Sequence, residues 1–130
     1  MSGNFTLDLS RFINRARSNV DLVTKKVVLD VARSVIRKSP VDTGRFKGNW
    51  MYGVGEMPSG TVDAFDDPTA RITGQIPTQA SGKLHYIVNN LPYSIRLENG
   101  WSSQAPAGMV GTTISEYQGI VRRAANEVNP

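Results

Sequence analysis

Apolar residues in the first third of the chain recur every three or four positions: Leu9, Phe12, Ile13, Ala16, Val20, Val23, Val27, Val31 and Val35. That period lines them up on one face of a helix. Asp8 stands where an N-cap is expected, and Pro40 biases Ser39 out of the helical region, so the pattern predicts one helix from about residue 8 to residue 38. Arg11, Arg15, Lys25, Lys26, Arg33, Arg37 and Lys38 fall largely off the apolar stripe. About 30 helical residues at 1.5 Å each make a rod of roughly 45 Å. A globule of this chain length is only roughly 36 Å across. A straight helix would outreach its own domain, and its apolar stripe would need a second surface to cover it. The expectation is self-association.

Further along, the period changes. Residues 50–56 and 61–65 read as strands that pair as a hairpin around Met57-Pro58-Ser59-Gly60. Residues 66–82 contain Pro68, Gly74, Pro77 and Gly82 among small polar residues and show no period, which predicts a long loop. Residues 83–88 read as another strand. Tyr93, Ile95 and Leu97 alternate with Ser94, Arg96 and Glu98, a strand pattern that a short helix fits almost as well. Residues 102–111 form a second irregular stretch. Thr113-Ile114-Ser115-Glu116 has the spacing of a capping box, with Ile114, Tyr117, Val121, Ala124 and Val128 following at helical intervals. Helix, strands, helix without βαβ alternation predicts an α+β fold in one domain over residues 1–130. Its long N-terminal helix and C-terminal helix would pack on a mostly antiparallel sheet.

Composition narrows the chemistry. The 130 residues include no cysteine and one histidine, which excludes disulfides, thiolate metal sites, thiol catalysis and multi-histidine metal centres. No apolar run approaches the ~20 residues of a membrane span, and the first ten residues lack a signal-peptide pattern, so a soluble protein is expected. The net charge of +4 is unevenly placed: residues 1–50 carry +6 and residues 51–130 carry −2. A basic half of this kind suits nucleic acid, a solvated helix face, or the acids of a partner subunit. For nucleic acid the contacts would be Arg11, Arg15, Lys25, Lys26, Arg33 and Lys38.

Catalytic look-alikes are few. Asp42-Thr43-Gly44 matches the triplet of aspartic proteases, but it follows a helix terminus and a turn rather than an apolar strand. It reads instead as a turn in which Asp42 caps amides and Gly44 takes a conformation other residues avoid. Asp66-Asp67 next to Pro68 reads as a solvated turn, and His85 has no nucleophile motif to serve. Gly82-Lys83 lacks the flanking residues of a phosphate loop. No enzyme, metal or cofactor is expected.

Two segments are more specific. Ser39-Pro40-Val41-Asp42-Thr43-Gly44 directly follows the long helix. Asn89-Asn90-Leu91-Pro92-Tyr93-Ser94 runs on to Leu97-Glu98-Asn99-Gly100 and then to Gln104-Ala105-Pro106-Ala107-Gly108-Met109. In these residues and in their order, over about residues 5–125, the chain resembles the small neck and tail-completion proteins of long-tailed bacteriophages, related to the lambda minor tail protein Z group. It departs from them after Gly44, where Arg45-Phe46-Lys47 replaces the family's leucine and small polar residue. The resemblance implies a virion structural protein at the head–tail junction, found in the host cytoplasm during assembly. It implies a hexameric ring that joins a connector or stopper protein to the tail tube or tail terminator. DNA would pass through its channel without sequence-specific contact. Ser39, Pro40, Asp42, Thr43 and Gly44 would then form a structural turn. Tyr93, Leu97, Glu98, Gln104, Ala105, Pro106, Gly108 and Met109 would make assembly contacts.

Overall fold

A computed structural model describes residues 2–41, 44–100 and 108–129, with side chains from Arg15 onward. The elements are α1 (Ser2–Lys38), α2 (Arg45–Gly48), β1 (Trp50–Val54), α3 (Thr69–Gln75), β2 (His85–Asn89), α4 (Ser94–Glu98), α5 (Val110–Ser115) and α6 (Tyr117–Val128). The α+β fold is as the sequence pattern predicts: a long first helix, a C-terminal helix and an antiparallel sheet. Among the described residues no helix is long and apolar enough to cross a membrane.

Helix α1 spans 37 residues, a rod of about 55 Å. Asp8 does not cap it: the helix starts at Ser2, and Asp8 lies inside it. The lower stripe is where the core forms. Val28, Ala32, Val35 and Ile36 are buried, and one cluster joins them to Phe46, Trp50, Tyr52, Ile72, Ile76, Leu91 and Met109. Higher up, Val20 on the same stripe remains 54% exposed, and Leu22 off it 51%. The apolar stripe therefore outruns the core, as the length comparison anticipates.

The sheet has two strands, β1 and β2, antiparallel, with Trp50 opposite Asn89 and Val54 opposite His85. The expected hairpin between residues 50–56 and 61–65 does not form. Residues 61–65 make no strand; Asn49 Oδ1 accepts the Val62 N–H at 2.9 Å and draws the segment against α2. A Cβ on Gly48 would lie 2.4 Å from the Ala64 carbonyl oxygen, so the two backbones can meet only because residue 48 is glycine. The far edge of β1 is meanwhile occupied by Arg71, whose Nη2 donates to Trp50 O at 2.7 Å and Gly48 O at 3.2 Å.

Arg71 belongs to α3, which lies where a structureless loop was expected. Ile72 is the residue it buries, and one buried position among Pro68, Gly74 and Pro77 leaves too short a period to read. Asp67 opens the helix: its Oδ1 accepts from the Thr69 N–H at 2.8 Å and the Thr69 hydroxyl at 2.5 Å. These bonds hold the Asp67 carboxyl below the ordinary aspartate range. The ambiguous stretch after Tyr93 is helix α4. The capping box at residues 113–116 is also absent. Thr113 lies inside α5, no side chain caps the start of α6, and Glu116 pairs with Lys38 instead.

Candidate assembly site

The three sequence motifs meet around the end of α1. Ser39 is buried, and its hydroxyl donates to Val35 O at 2.6 Å while accepting from Trp50 Nε1 at 2.7 Å. The helix terminus is thereby latched to the first residue of β1. Pro40 is buried beside it. Gly44 has φ +78°, and a Cβ there would lie 2.2 Å from the Phe65 carbonyl oxygen. Only glycine satisfies both constraints. Asp42 and Thr43 lie outside the described residues.

From Gly44 the chain enters α2, which presents Phe46 to Trp50 edge-on, ring centres 5.9 Å apart, and to Tyr93 at 6.0 Å. Tyr93 is thus partly an internal contact, although 38% exposed. The Asn89 side chain strengthens the same junction. Its Nδ2 donates to Phe46 O at 2.9 Å, and its Oδ1 accepts the Leu91 N–H at 3.3 Å and the Ser94 hydroxyl at 3.2 Å. The Asn-x-x-Pro-Tyr stretch is therefore a turn fastened to the residues after Gly44.

Glu98 carries the most distinctive geometry. Its Oε1 accepts the N–H groups of Met109 at 2.8 Å and Val110 at 2.9 Å, and its Oε2 accepts that of Gly111 at 2.8 Å. These are the unpaired amides at the start of α5, capped by a carboxylate from 11 to 13 residues upstream. Burial raises the Glu98 pKa, but the three amides and the Lys38 charge outweigh it and leave the carboxyl below its ordinary 4.5. Gly108 has φ +79°, and a Cβ would lie 2.4 Å from the Glu98 carbonyl oxygen. Leu97 packs against the core and Met109 is buried within it. The Leu-Glu-x-Gly and Ala-Pro-x-Gly-Met motifs thus contribute to one clasp. Gln104, Ala105 and Pro106 lie outside the described residues.

The basic residues divide. Lys26 Nζ bonds Glu127 Oε2 at 2.6 Å and Lys38 Nζ bonds Glu116 Oε1 at 3.0 Å, joining α1 to acids beside and within α6. Lys38 also donates to Thr113 Oγ1 at 3.1 Å. That hydroxyl itself donates to Met109 O at 2.7 Å, so the buried Ser34 hydroxyl at 2.9 Å is the donor in their contact. Arg33 lies 3.9 Å from Asp30. Arg15 is exposed and Lys25 half-buried, while the side chain of Arg11 lies outside the described residues. Part of the +6 and −2 division is thus resolved inside one chain.

His85 is held structurally: Nε2 donates to Ala80 O at 2.8 Å, which leaves Nδ1 to accept from Tyr52 Oη at 2.6 Å. Sequence reasoning passed over Asn49 and Arg71, and quoted Phe46, Trp50 and Asn89 without giving them a contact. An aromatic pair at i, i+4 was the available signal for Phe46 and Trp50; the other three act across long sequence separations. No protein-family model matches the chain, nor does any curated protein or solved structure.

Proposed function

We propose that the chain is a virion structural protein of the head–tail junction of a long-tailed bacteriophage, acting in the neck or in tail completion. It works by assembly: copies form a ring, hexameric by family resemblance, that joins the connector to the tail tube and lets DNA pass. The observation that carries the reading is the Glu98 clasp. Two of the motifs that gave the resemblance are fastened together by three hydrogen bonds.

The size of the molecule points the same way. A globule roughly 36 Å across cannot encircle duplex DNA alone, so a junction role requires several copies. Binding to nucleic acid through the basic helix is the weaker reading, because Lys26 and Lys38 are already engaged with Glu127 and Glu116. Electron micrographs of the purified chain, with and without duplex DNA, separate the two. Rings that form without DNA support assembly. A chain that makes no rings and instead shifts DNA with a steep salt dependence would overturn it.

A further inference from the structure

The sheet keeps one edge unfilled. Gly55 N–H donates to Leu84 O at 2.7 Å, one step beyond the β1–β2 register. The alternation of an antiparallel ladder then turns the backbone groups of His85, Ile87 and Asn89 away from β1. Ser94 takes the Asn89 carbonyl at 3.1 Å. The N–H and C=O groups of His85 and Ile87 have no partner among the described residues.

The space beside that edge has two parts. The first is an apolar groove of about 590 Å³, with Val27, Val28 and Val31 of α1 as its floor and Ile87 of β2 and Val121 of α6 on its sides. The second is a polar cleft of about 560 Å³ lined by Arg17, Ser18, Asp21, Gln79, Ser81 and Lys83. Lys83 belongs to both linings, so groove and cleft meet there. Asp21 is spent on Ser81, whose N–H and hydroxyl it accepts at 2.9 and 2.6 Å. The Lys83 charge reaches Asp21, but neither Lys83 nor Arg17 makes a hydrogen bond or ion pair among the described residues, and both are exposed. The cleft therefore carries a surplus of positive charge.

These features specify an occupant. Unpaired strand backbone calls for another extended backbone, which a lipid or other amphiphile does not supply. The valine floor calls for aliphatic side chains on alternate residues. Arg17 and Lys83 call for acids beyond them. A strand antiparallel to β2 runs toward Lys83, so its acids follow its aliphatic residues.

We propose that the β2 edge takes up an extended segment of a partner protein as a third, antiparallel strand. Its alternating aliphatic residues lie over the valine floor, and the acidic residues after them reach Lys83 and Arg17. The inference goes beyond the ring reading and does not depend on it, because a chain that never closes a ring still presents this edge.

The probe is the peptide acetyl-Thr-Val-Thr-Val-Thr-Asp-Asp-amide, added at millimolar concentration to the full chain and followed by amide hydrogen exchange. In the free chain the His85 and Ile87 amides are expected to exchange fast, while those of Tyr86 and Val88, inside the ladder, are protected. With the peptide, His85 and Ile87 should slow about tenfold or more. No slowing overturns the proposal. Slowing in the chain alone as its concentration rises also overturns it, since a second copy would then fill the edge. Valine N–H groups face β2 in this pairing, so a peptide N-methylated at both valines should not bind; equal binding would reject the strand. Replacing Asp-Asp by Lys-Lys is expected to weaken binding about five- to tenfold at low salt. Arg17→Glu with Lys83→Glu, both at exposed positions, should reverse that preference. A folded double variant that still prefers the acidic peptide rejects the charged half of the site. Ring formation is read separately, so failure here leaves the junction reading standing.

Discussion

The C-terminal part and the middle of α1 carry apolar residues in opposite surroundings. Near its C-terminus, Ala32, Val35 and Ile36 are at most 3% exposed, and Ser39 is latched to Trp50. About three to four turns earlier, in the middle of the helix, Val20 on the stripe and Leu22 beside it are more than half exposed. The helical period reports which residues share a face; it carries no information about what covers that face. The C-terminal part of α1 is covered by its own chain, and the middle of the helix leaves apolar side chains exposed among the described residues.

That contrast is broken most severely at the covered end. Trp50→Ala removes a buried indole and leaves the Ser39 hydroxyl without its donor, an expected loss of about 3–5 kcal/mol in denaturant unfolding. A loss as small as that of a surface change would mean the latch is not part of the core. Next comes the clasp. Gly108→Ala forces a Cβ onto the Glu98 carbonyl oxygen at a positive φ, and should cost about 2–3 kcal/mol.

Glu98→Gln keeps the shape but removes the charge that three amides bind, with an expected loss of about 2 kcal/mol. The wild-type clasp should also respond to acid. Its folded pKa is lowered, so its stabilisation is complete above the unfolded value near 4.5 and fades as pH falls through the lower folded value. Between neutral pH and mild acid, Glu98→Gln should therefore lose less stability than wild type; parallel loss in both would remove the charge from the account.

In the uncovered middle of the helix, Leu22→Ala should change monomer stability by no more than about 0.5 kcal/mol. A large effect would show that this part is held within the chain after all, and the contrast between the two parts of α1 would collapse.

The sequence pattern made α1 and α6 legible because each buries residues at its own local period, and β2 legible from its composition, since all five of its residues are half-buried alike. It also placed the motifs that the clasp unites. What it missed depends on distance or on breakers. Strand 50–54 pairs with a strand some 35 residues on rather than with the nearer 61–65, because Asn49, Gly48 and Arg71 claim the surfaces a hairpin would need. Helix α3 was hidden by prolines and glycine around Ile72 and Ile76. The Glu98 clasp spans 11 to 13 residues, and no local spacing encodes a carboxylate that caps amides at that distance.

The central claim is that this chain functions by assembling copies of itself into a closed ring. Native mass spectrometry of the full chain across a rising concentration series tests it most directly. The account predicts a discrete closed species, at six times the chain mass if the family resemblance holds, that persists without DNA. A strict monomer at every concentration would contradict it.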